Sequence, residues 1–101
     1  MVTEYSSVAF DFAYLKKPIV YTQFDVEVFY NQHINKQGYF SYERDAFGPV
    51  CYDYESAVDA IIKQLDRGCQ MEEVYKQRVD SFFAYTDQNN CERVYQAIKE
   101  L

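Results

Sequence analysis

The second half of the chain contains three stretches in which apolar residues recur every three or four positions. This period places them on one face of a helix, so the pattern predicts three consecutive amphipathic helices. Asp53 is a suitable N-cap for the first helix and Gly68 a suitable stop, while Asn89 or Asn90 suits the start of the third. The apolar positions are Ala57, Val58, Ile61, Ile62 and Leu65; then Met71, Val74, Tyr75, Val79, Phe82 and Phe83; then Cys91, Val94, Ile98 and Leu101.

The first half predicts one apolar helix and two short buried strands. Ser6 and Ser7 suit the N-cap of a helix over residues 8–15, which should stop before Lys16-Lys17-Pro18, because the residue before a proline tends to leave the helical region. Residues 18–22 and 49–52 are the strand candidates. Residues 25–33 suggest an irregular helix, and residues 38–45 a loop rich in tyrosine and charge.

The predicted order is helix, strand, loop, strand and three helices, which is an α/β arrangement. No strand is evident before the first helix, and two short strands make a poor sheet. The order therefore favours the last part of a larger α/β domain that is truncated at its N-terminus. On this interpretation the many aromatic residues, 11 Tyr and 8 Phe, would face the missing strands.

Composition narrows the possible functions. The length of 101 residues allows one small domain, and no apolar run approaches the roughly 20 residues of a membrane span. The net charge of −6, without a local basic patch, argues against nucleic acid as a partner. Three widely spaced cysteines suggest buried reduced thiols, and the single histidine, His33, excludes a two-histidine metal site. We expect no metal and no cofactor, and we assign His33 no role.

The start of the first helix carries the candidate chemistry. Ser6 and Ser7 open it without a capping-box partner, so some first-turn N–H groups should be free to bind phosphate, although an ordinary capped helix has the same features. Asp11 lies one turn beyond Ser7 and is the lone charge of this helix. It suits a sugar hydroxyl beside a phosphate, and equally a solvated edge or an ion pair with Lys16 or Lys17.

The chain resembles the C-terminal region of the CDP-glycerol:poly(glycerophosphate) glycerophosphotransferases, which build teichoic acid and related polymers in bacteria. The resemblance covers almost the whole chain. Its motifs are Glu4-Tyr5-Ser6-Ser7-Val8-Ala9-Phe10-Asp11-Phe12, Leu15-Lys16-Lys17-Pro18-Ile19-Val20-Tyr21, Phe24-Asp25, Gly38-Tyr39-Phe40, Tyr42-Glu43-Arg44-Asp45, Phe47-Gly48-Pro49-Val50 and Asn89-Asn90-Cys91-Glu92-Arg93-Val94.

The resemblance implies a GT-B architecture, with this chain as the last, partial Rossmann-like half of the domain that binds the nucleotide donor. It implies that Ser6 and Ser7 face the donor diphosphate and that Asp11 contacts the ribose. Glu4 replaces the aspartate usual in the family, so a hydrogen bond from this carboxylate would be displaced by one methylene. Glu4 and the adjacent Tyr5 complete the predicted substrate-binding segment.

Two further residues are candidates for the donor site. Arg44 could bind phosphate through its guanidinium, or it could pair with its charged neighbours. Asp25 follows a predicted strand, and ligands of open α/β sheets bind beyond the carboxyl ends of strands.

The implied reaction is transfer of glycerol phosphate from CDP-glycerol to a growing polymer. No residue of the chain suggests a general base, so we predict no catalytic residue here and no activity for the isolated chain. The resemblance implies a cytoplasmic location, at the inner face of the cell membrane only through other parts of the parent protein. The alternative is a non-enzymatic, small acidic domain that binds a partner protein through its tyrosines.

Overall fold

A computed structural model describes residues 1–25 and 38–101. The predicted irregular helix over residues 25–33, which includes His33, lies outside this part. Only its first residue, Asp25, is described. The elements are β1 (Val2–Thr3), α1 (Val8–Tyr14), β2 (Val20–Thr22), α2 (Tyr42–Asp45), β3 (Val50–Cys51), α3 (Tyr54–Asp66), α4 (Glu73–Phe82) and α5 (Asn90–Lys99).

The three strands form a parallel sheet in the order β1-β2-β3. Val2 pairs with Val20, and Tyr21 pairs with Val50. The expectation that no strand precedes the first helix is wrong, because β1 supplies that strand. Two residues are too few to show a strand period, and the pairing depends instead on β2, whose partner residues lie eighteen positions later in the chain. The predicted α/β class is confirmed.

The three predicted C-terminal helices are confirmed, and capping explains the clearest boundaries. The Asp53 carboxylate accepts a hydrogen bond from the backbone N–H of Ser56 at 2.8 Å, which satisfies a free donor in the first turn of α3. Gly68 follows the end of this helix with a φ of +69°, a left-handed conformation that favours glycine. Asn89 precedes α5, as predicted, but its side chain makes no capping hydrogen bond.

The predicted loop over residues 38–45 is wrong at its C-terminal end, where α2 forms a single helical turn. The Asp45 carboxylate accepts a hydrogen bond from the backbone N–H of Ser41 at 2.9 Å. The Asp45 N–H donates in turn to the Ser41 carbonyl at 2.6 Å. This reciprocal pair holds the turn closed, and it involves residues four apart rather than an apolar period.

The sheet is packed on both faces. Tyr21 points into the larger core together with Phe47, Val79 and the small residues of α1, while Val20 points to the opposite face with Cys51 and Ala57 of α3. This alternation is the period of two expected of a strand that is covered on both sides. Helix α1 buries only Ala9 and Ala13, and much of its remaining apolar surface is exposed.

The sequence suggested that the aromatic residues face missing strands. Many of them pack against one another instead. Five phenylalanines pack against one another, with ring centroids 5.0 to 6.1 Å apart and mostly in edge-to-face geometry. They are Phe10, Phe40, Phe47, Phe82 and Phe83. Edge-to-face rings interact favourably beyond the area they bury, so this cluster, in which Phe47 is the buried member, packs against the larger core. Several tyrosines, including Tyr39 and Tyr54, remain exposed.

Gly48 lies close to the backbone of Ile19, the residue before β2. A Cβ atom at this position would lie 1.8 Å from the carbonyl oxygen of Ile19. The adjacent Pro49 carbonyl accepts a hydrogen bond from the Tyr21 N–H at 2.9 Å. The absence of a side chain at Gly48 therefore allows β3 to approach β2 closely enough to pair.

The expectation of three buried thiols is correct for one cysteine only. Cys51 is buried in β3, where burial raises its pKa, whereas Cys69 and Cys91 are exposed. Cys69 follows Gly68 in the turn after α3, and Cys91 lies in the first turn of α5, so neither reaches the core. All three are free thiols.

The longest of the described helices is α3, with 13 residues. Within residues 1–25 and 38–101, no helix is long and apolar enough to cross a bilayer.

Candidate functional site

A surface depression of about 640 Å³ lies beyond the carboxyl ends of β1 and β2. It is the place where ligands bind in open α/β sheets. The depression brings together four of the seven residues predicted for the substrate site. Its lining residues are Val2, Thr3, Glu4, Tyr5, Ser6, Thr22 and Asp25.

The polar groups of this depression are mainly hydrogen-bond acceptors. The carboxylates of Glu4 and Asp25 belong to exposed residues, and the Thr22 hydroxyl donates a hydrogen bond to the Thr3 carbonyl at 3.4 Å. Among the described residues, neither a lysine nor an arginine lines it. Such a surface attracts hydroxyl groups, and its two carboxylates repel a phosphate unless a cation comes from elsewhere.

The first turn of α1 is more fully hydrogen-bonded than the sequence suggested. The Val8 N–H donates to the Ser6 hydroxyl oxygen at 3.2 Å, and the N–H groups of Ala9 and Phe10 donate to backbone carbonyls at 3.2 and 3.0 Å. The expectation of free N–H groups is therefore wrong for these three residues. The chain enters the helix through tight three-residue turns, which satisfy donors that an α-helical start would leave open.

The two serines are placed differently. Ser7 occupies the N-cap position of α1, yet its side chain makes no capping hydrogen bond. Ser6 lines the depression and accepts the hydrogen bond from Val8, which leaves its own hydroxyl proton available for a ligand. Both residues are exposed, so both hydroxyls are accessible at the edge of the sheet.

Asp11 lies away from Ser6, in a second depression of about 470 Å³ between α1 and the segment that leads into α5. The predicted ion pair with Lys16 is not formed, since Lys16 Nζ contacts Asp80 Oδ1 at 3.0 Å. Within the described part of the chain, the Asp11 carboxylate makes no ion pair. It is exposed and available to a ligand.

Arg44 forms the pair with its charged neighbour. Its Nε and Nη2 atoms donate to the two Asp45 carboxylate oxygens at 2.9 and 2.7 Å, and Nη2 also donates to the Tyr39 carbonyl at 2.8 Å. These two hydrogen bonds from Arg44, together with the one from the Ser41 N–H, lower the pKa of Asp45 to about 2. The guanidinium is thus engaged in holding the turn around α2, and it does not line the depression that contains Ser6.

Sequence reasoning missed Thr3 and Thr22, which line the first depression beside the predicted residues. Each is the last residue of a strand, β1 or β2, so strand-end position was the signal that could have identified them. The sequence predicted β2, so Thr22 could have been identified from its position at the end of that strand. It did not predict β1, so the position of Thr3 carried no such signal. Within residues 1–25 and 38–101, no group of three His, Cys, Asp or Glu side chains is arranged to hold a metal ion.

Comparison with known proteins agrees with the motifs around this edge of the sheet. The profile of the CDP-Glycerol:Poly(glycerophosphate) glycerophosphotransferase family matches residues 1–100. The minor teichoic acid biosynthesis protein GgaB of Bacillus subtilis (strain 168) is 46% identical over 101 residues, which are 100% of this chain and 11% of that protein. No solved structure gives a significant match.

Shorter matches point to the same group of proteins. The teichoic acid poly(glycerol phosphate) polymerase of Bacillus spizizenii is 41% identical over 63 residues, or 62% of this chain and 16% of that protein. The teichoic acid glycerol-phosphate transferase of Staphylococcus aureus is 33% identical over 66 residues, or 65% of this chain and 16% of that protein. The chain thus spans less than a fifth of the length of these relatives. Since the family profile covers nearly every residue, the chain belongs to the CDP-glycerol:poly(glycerophosphate) glycerophosphotransferase family.

Proposed function

We propose that the chain is the donor-binding portion of a bacterial glycerophosphotransferase that uses CDP-glycerol and extends a teichoic acid-type polymer. The observation that carries the proposal is the depression at the carboxyl edge of the sheet, which gathers Glu4, Tyr5, Ser6 and Asp25 in a family member. On this proposal the three-stranded sheet is part of the Rossmann-like second domain of a GT-B enzyme.

The charges in the depression decide which part of the donor each group contacts. The carboxylates of Glu4 and Asp25 are acceptors and suit the hydroxyl groups of glycerol, while the Ser6 hydroxyl can donate to phosphate oxygens. The Ser7 hydroxyl, next to Ser6 at the N-cap of α1, can donate to the same phosphates. Because the described lining has no cation, neutralisation of the diphosphate falls to parts of the enzyme beyond this chain. Arg44 is not part of the proposed phosphate site, because its guanidinium already donates to the Asp45 carboxylate and the Tyr39 carbonyl.

The proposed reaction is a displacement at phosphorus. A hydroxyl oxygen of the polymer forms a bond to the β-phosphorus of CDP-glycerol, the bond from that phosphorus to the bridging oxygen breaks, and CMP leaves. The hydroxyl proton passes to a general base. We assign that base to another part of the enzyme and expect the isolated chain to bind the donor without turning it over. We place the parent protein in the cytoplasm, at the inner face of the membrane.

A titration of the ¹⁵N-labelled chain with CDP tests donor binding. We expect saturable amide shifts at Glu4, Ser6, Ser7 and Asp25, and weaker binding in a Ser6→Ala, Ser7→Ala double variant. Ser81→Ala, an exposed serine of α4, is the matched control and should bind CDP normally. Shifts confined to other surfaces, or none at all, would contradict the proposal. Release of CMP from CDP-glycerol by the chain alone would contradict the assignment of the base.

A role as a non-enzymatic interaction module gains no specific support. The tyrosines that would form its surface are divided, because Tyr21 and Tyr42 pack against each other at the larger core while Tyr39, Tyr54 and Tyr95 are exposed and dispersed over different elements.

A further inference from the structure

We infer that the outer edge of β1 and the groove beside it form a docking surface for an extended segment from the remainder of the enzyme. The inference rests on the proposed function, in which the chain is one portion of a longer protein. The relative GgaB supports that view, since all 101 residues of this chain correspond to 11% of its length. The groove lies between β1 and α3, has a volume of about 120 Å³ and is lined mainly by apolar side chains, with one buried amide.

The backbone of β1 is arranged to accept a further strand. Within the described part of the chain, β1 is an edge strand whose sheet partner is β2. The Val20 N–H donates to the Met1 carbonyl at 2.9 Å, and Val2 is the residue in register with Val20. The N–H and C=O of one residue in a parallel strand point to the same side, and this side alternates along the strand. Both backbone groups of Val2 therefore point away from β2, where a neighbouring strand can bond to them.

The side chains along this edge are apolar and only partly covered. Val20 and Cys51 are buried under α3, whereas Val2, the neighbouring position on the same face, is 53% exposed. Leu65, in the last turn of α3, is also exposed and lines the groove. Because parallel sheets are normally covered on both faces, this half-covered strand is a surface that another element covers. The groove has space for roughly one aliphatic side chain of that element.

Gln64 supplies an observation that points to a bound group. This residue is only 8% exposed, and its Oε1 atom is buried without a hydrogen-bond partner among the described residues. The residue lines the groove. A buried acceptor without a partner costs free energy, and a donor that enters the groove would satisfy it. A backbone N–H of the docked segment is the donor that we expect.

The charges and the opposite edge of the sheet favour the same choice. Among the described residues that line the groove, no side chain is charged, and the Met1 ammonium donates to the Pro18 carbonyl at 2.9 Å. At the other edge, Val50 of β3 packs against the larger core and Cys51 is buried. The docked segment should therefore present apolar side chains and lie against β1 rather than β3.

A blocked pentapeptide, acetyl-Thr-Val-Ile-Val-Thr-amide, serves as the probe for an extended apolar segment. Added to the ¹⁵N-labelled chain, it should cause saturable shifts of the Val2 and Leu65 backbone amides and of the Gln64 side-chain amide. The same peptide, methylated at the backbone nitrogens of its three central residues, keeps the side chains but loses the donors. It should bind at least about tenfold more weakly.

Gln64→Leu separates docking from packing, because the chain alone and its complex should respond in opposite directions. Without peptide, the urea midpoint should rise, since the variant removes a buried acceptor that lacks a partner. With peptide, binding should weaken about fivefold to tenfold, since the docked N–H loses its acceptor. Gln77→Leu changes an exposed glutamine of α4 outside the groove and is the matched control, which should alter neither quantity.

Several outcomes would overturn the inference. They are the absence of saturable shifts, equal binding of the methylated peptide, shifts centred on β3, and a lower urea midpoint in Gln64→Leu. Concentration-dependent shifts of Val2 and Leu65 without peptide would also overturn it, because a second copy of the chain would then be the occupant. Failure of the proposed donor site gives a different pattern, the absence of CDP-induced shifts at Ser6 and Ser7.

Discussion

Replacing Gly48 by alanine is expected to destabilise the fold more than any other single-methyl change that the glycines allow. The added Cβ would lie 1.8 Å from the Ile19 carbonyl oxygen and 2.8 Å from its carbonyl carbon. Both atoms belong to the backbone, so no side chain can rotate away to make room. Either Ile19, the residue before β2, or Gly48, two residues before β3, has to move by roughly 1.5 Å to restore an ordinary contact.

The size of the effect follows from what that movement disturbs. Overpacking a rigid site costs about 1–3 kcal/mol. The same movement stretches the hydrogen bond from the Tyr21 N–H to the Pro49 carbonyl, and a lost hydrogen bond costs about 1 kcal/mol more. We therefore expect the free energy of unfolding to fall by about 3 kcal/mol, a large part of the roughly 5–15 kcal/mol that holds a typical domain folded.

Urea denaturation followed by circular dichroism measures this loss. With a dependence of about 1.5 kcal/mol per molar urea for a domain of this size, the midpoint should fall by about 2 M. Gly38→Ala is the matched control, because no atom lies within 4 Å of a Cβ at that position. If Gly48→Ala unfolds within about 0.5 kcal/mol of the unmodified chain, the close approach of the two strands is not as described.

Two further predictions concern local hydrogen bonds made by carboxylates. Asp53→Ala removes the acceptor for the Ser56 N–H and should lower the free energy of unfolding by about 1 kcal/mol in the same urea assay, whereas Asp53→Asn should retain most of it. Asp45 has a folded-state pKa of about 2, below the ordinary 3.8, so its stabilising contribution is complete above the ordinary value and is lost as the pH falls toward 2. Urea midpoints measured between pH 6 and pH 2.5 should therefore fall less steeply in Asp45→Asn than in the unmodified chain, and equal slopes would refute the Arg44–Asp45 pairing.

The sequence allowed the helices of the second half to be predicted because each signal there is local. An apolar period of three to four residues, the Asp53 cap and the Gly68 stop all lie within or next to α3. By contrast, β1 is held by pairing with β2, a contact between residues far apart in the chain. The turn of α2 depends on a carboxylate bonding back to Ser41, which an apolar period cannot reveal.

The candidate site was predictable only in part for the same reason. Glu4, Tyr5 and Ser6 are contiguous, and Asp25 joins them because β2 lies beside β1. Asp11 is only five positions after Ser6, yet it lines a different depression, because it lies more than one turn into α1 and beside the segment before α5. Proximity in sequence therefore overestimated how many of the predicted residues line one depression.

Helix α5 has ten residues, and within the described structure none of them is buried. Helices shorter than about 12–15 residues are marginal in water without tertiary packing, so this one should open locally far more often than the domain unfolds. Arg93, held by Asp87 and Asn90, ties down its first turns, and opening should begin at the other end. Amide protons near Ile98 should then exchange with solvent fastest, and those of α3 much more slowly. Helix α5 is thus expected to open and close independently of the rest of the domain. A partner that covered the exposed Val94 and Ile98 would slow the exchange of its amide protons.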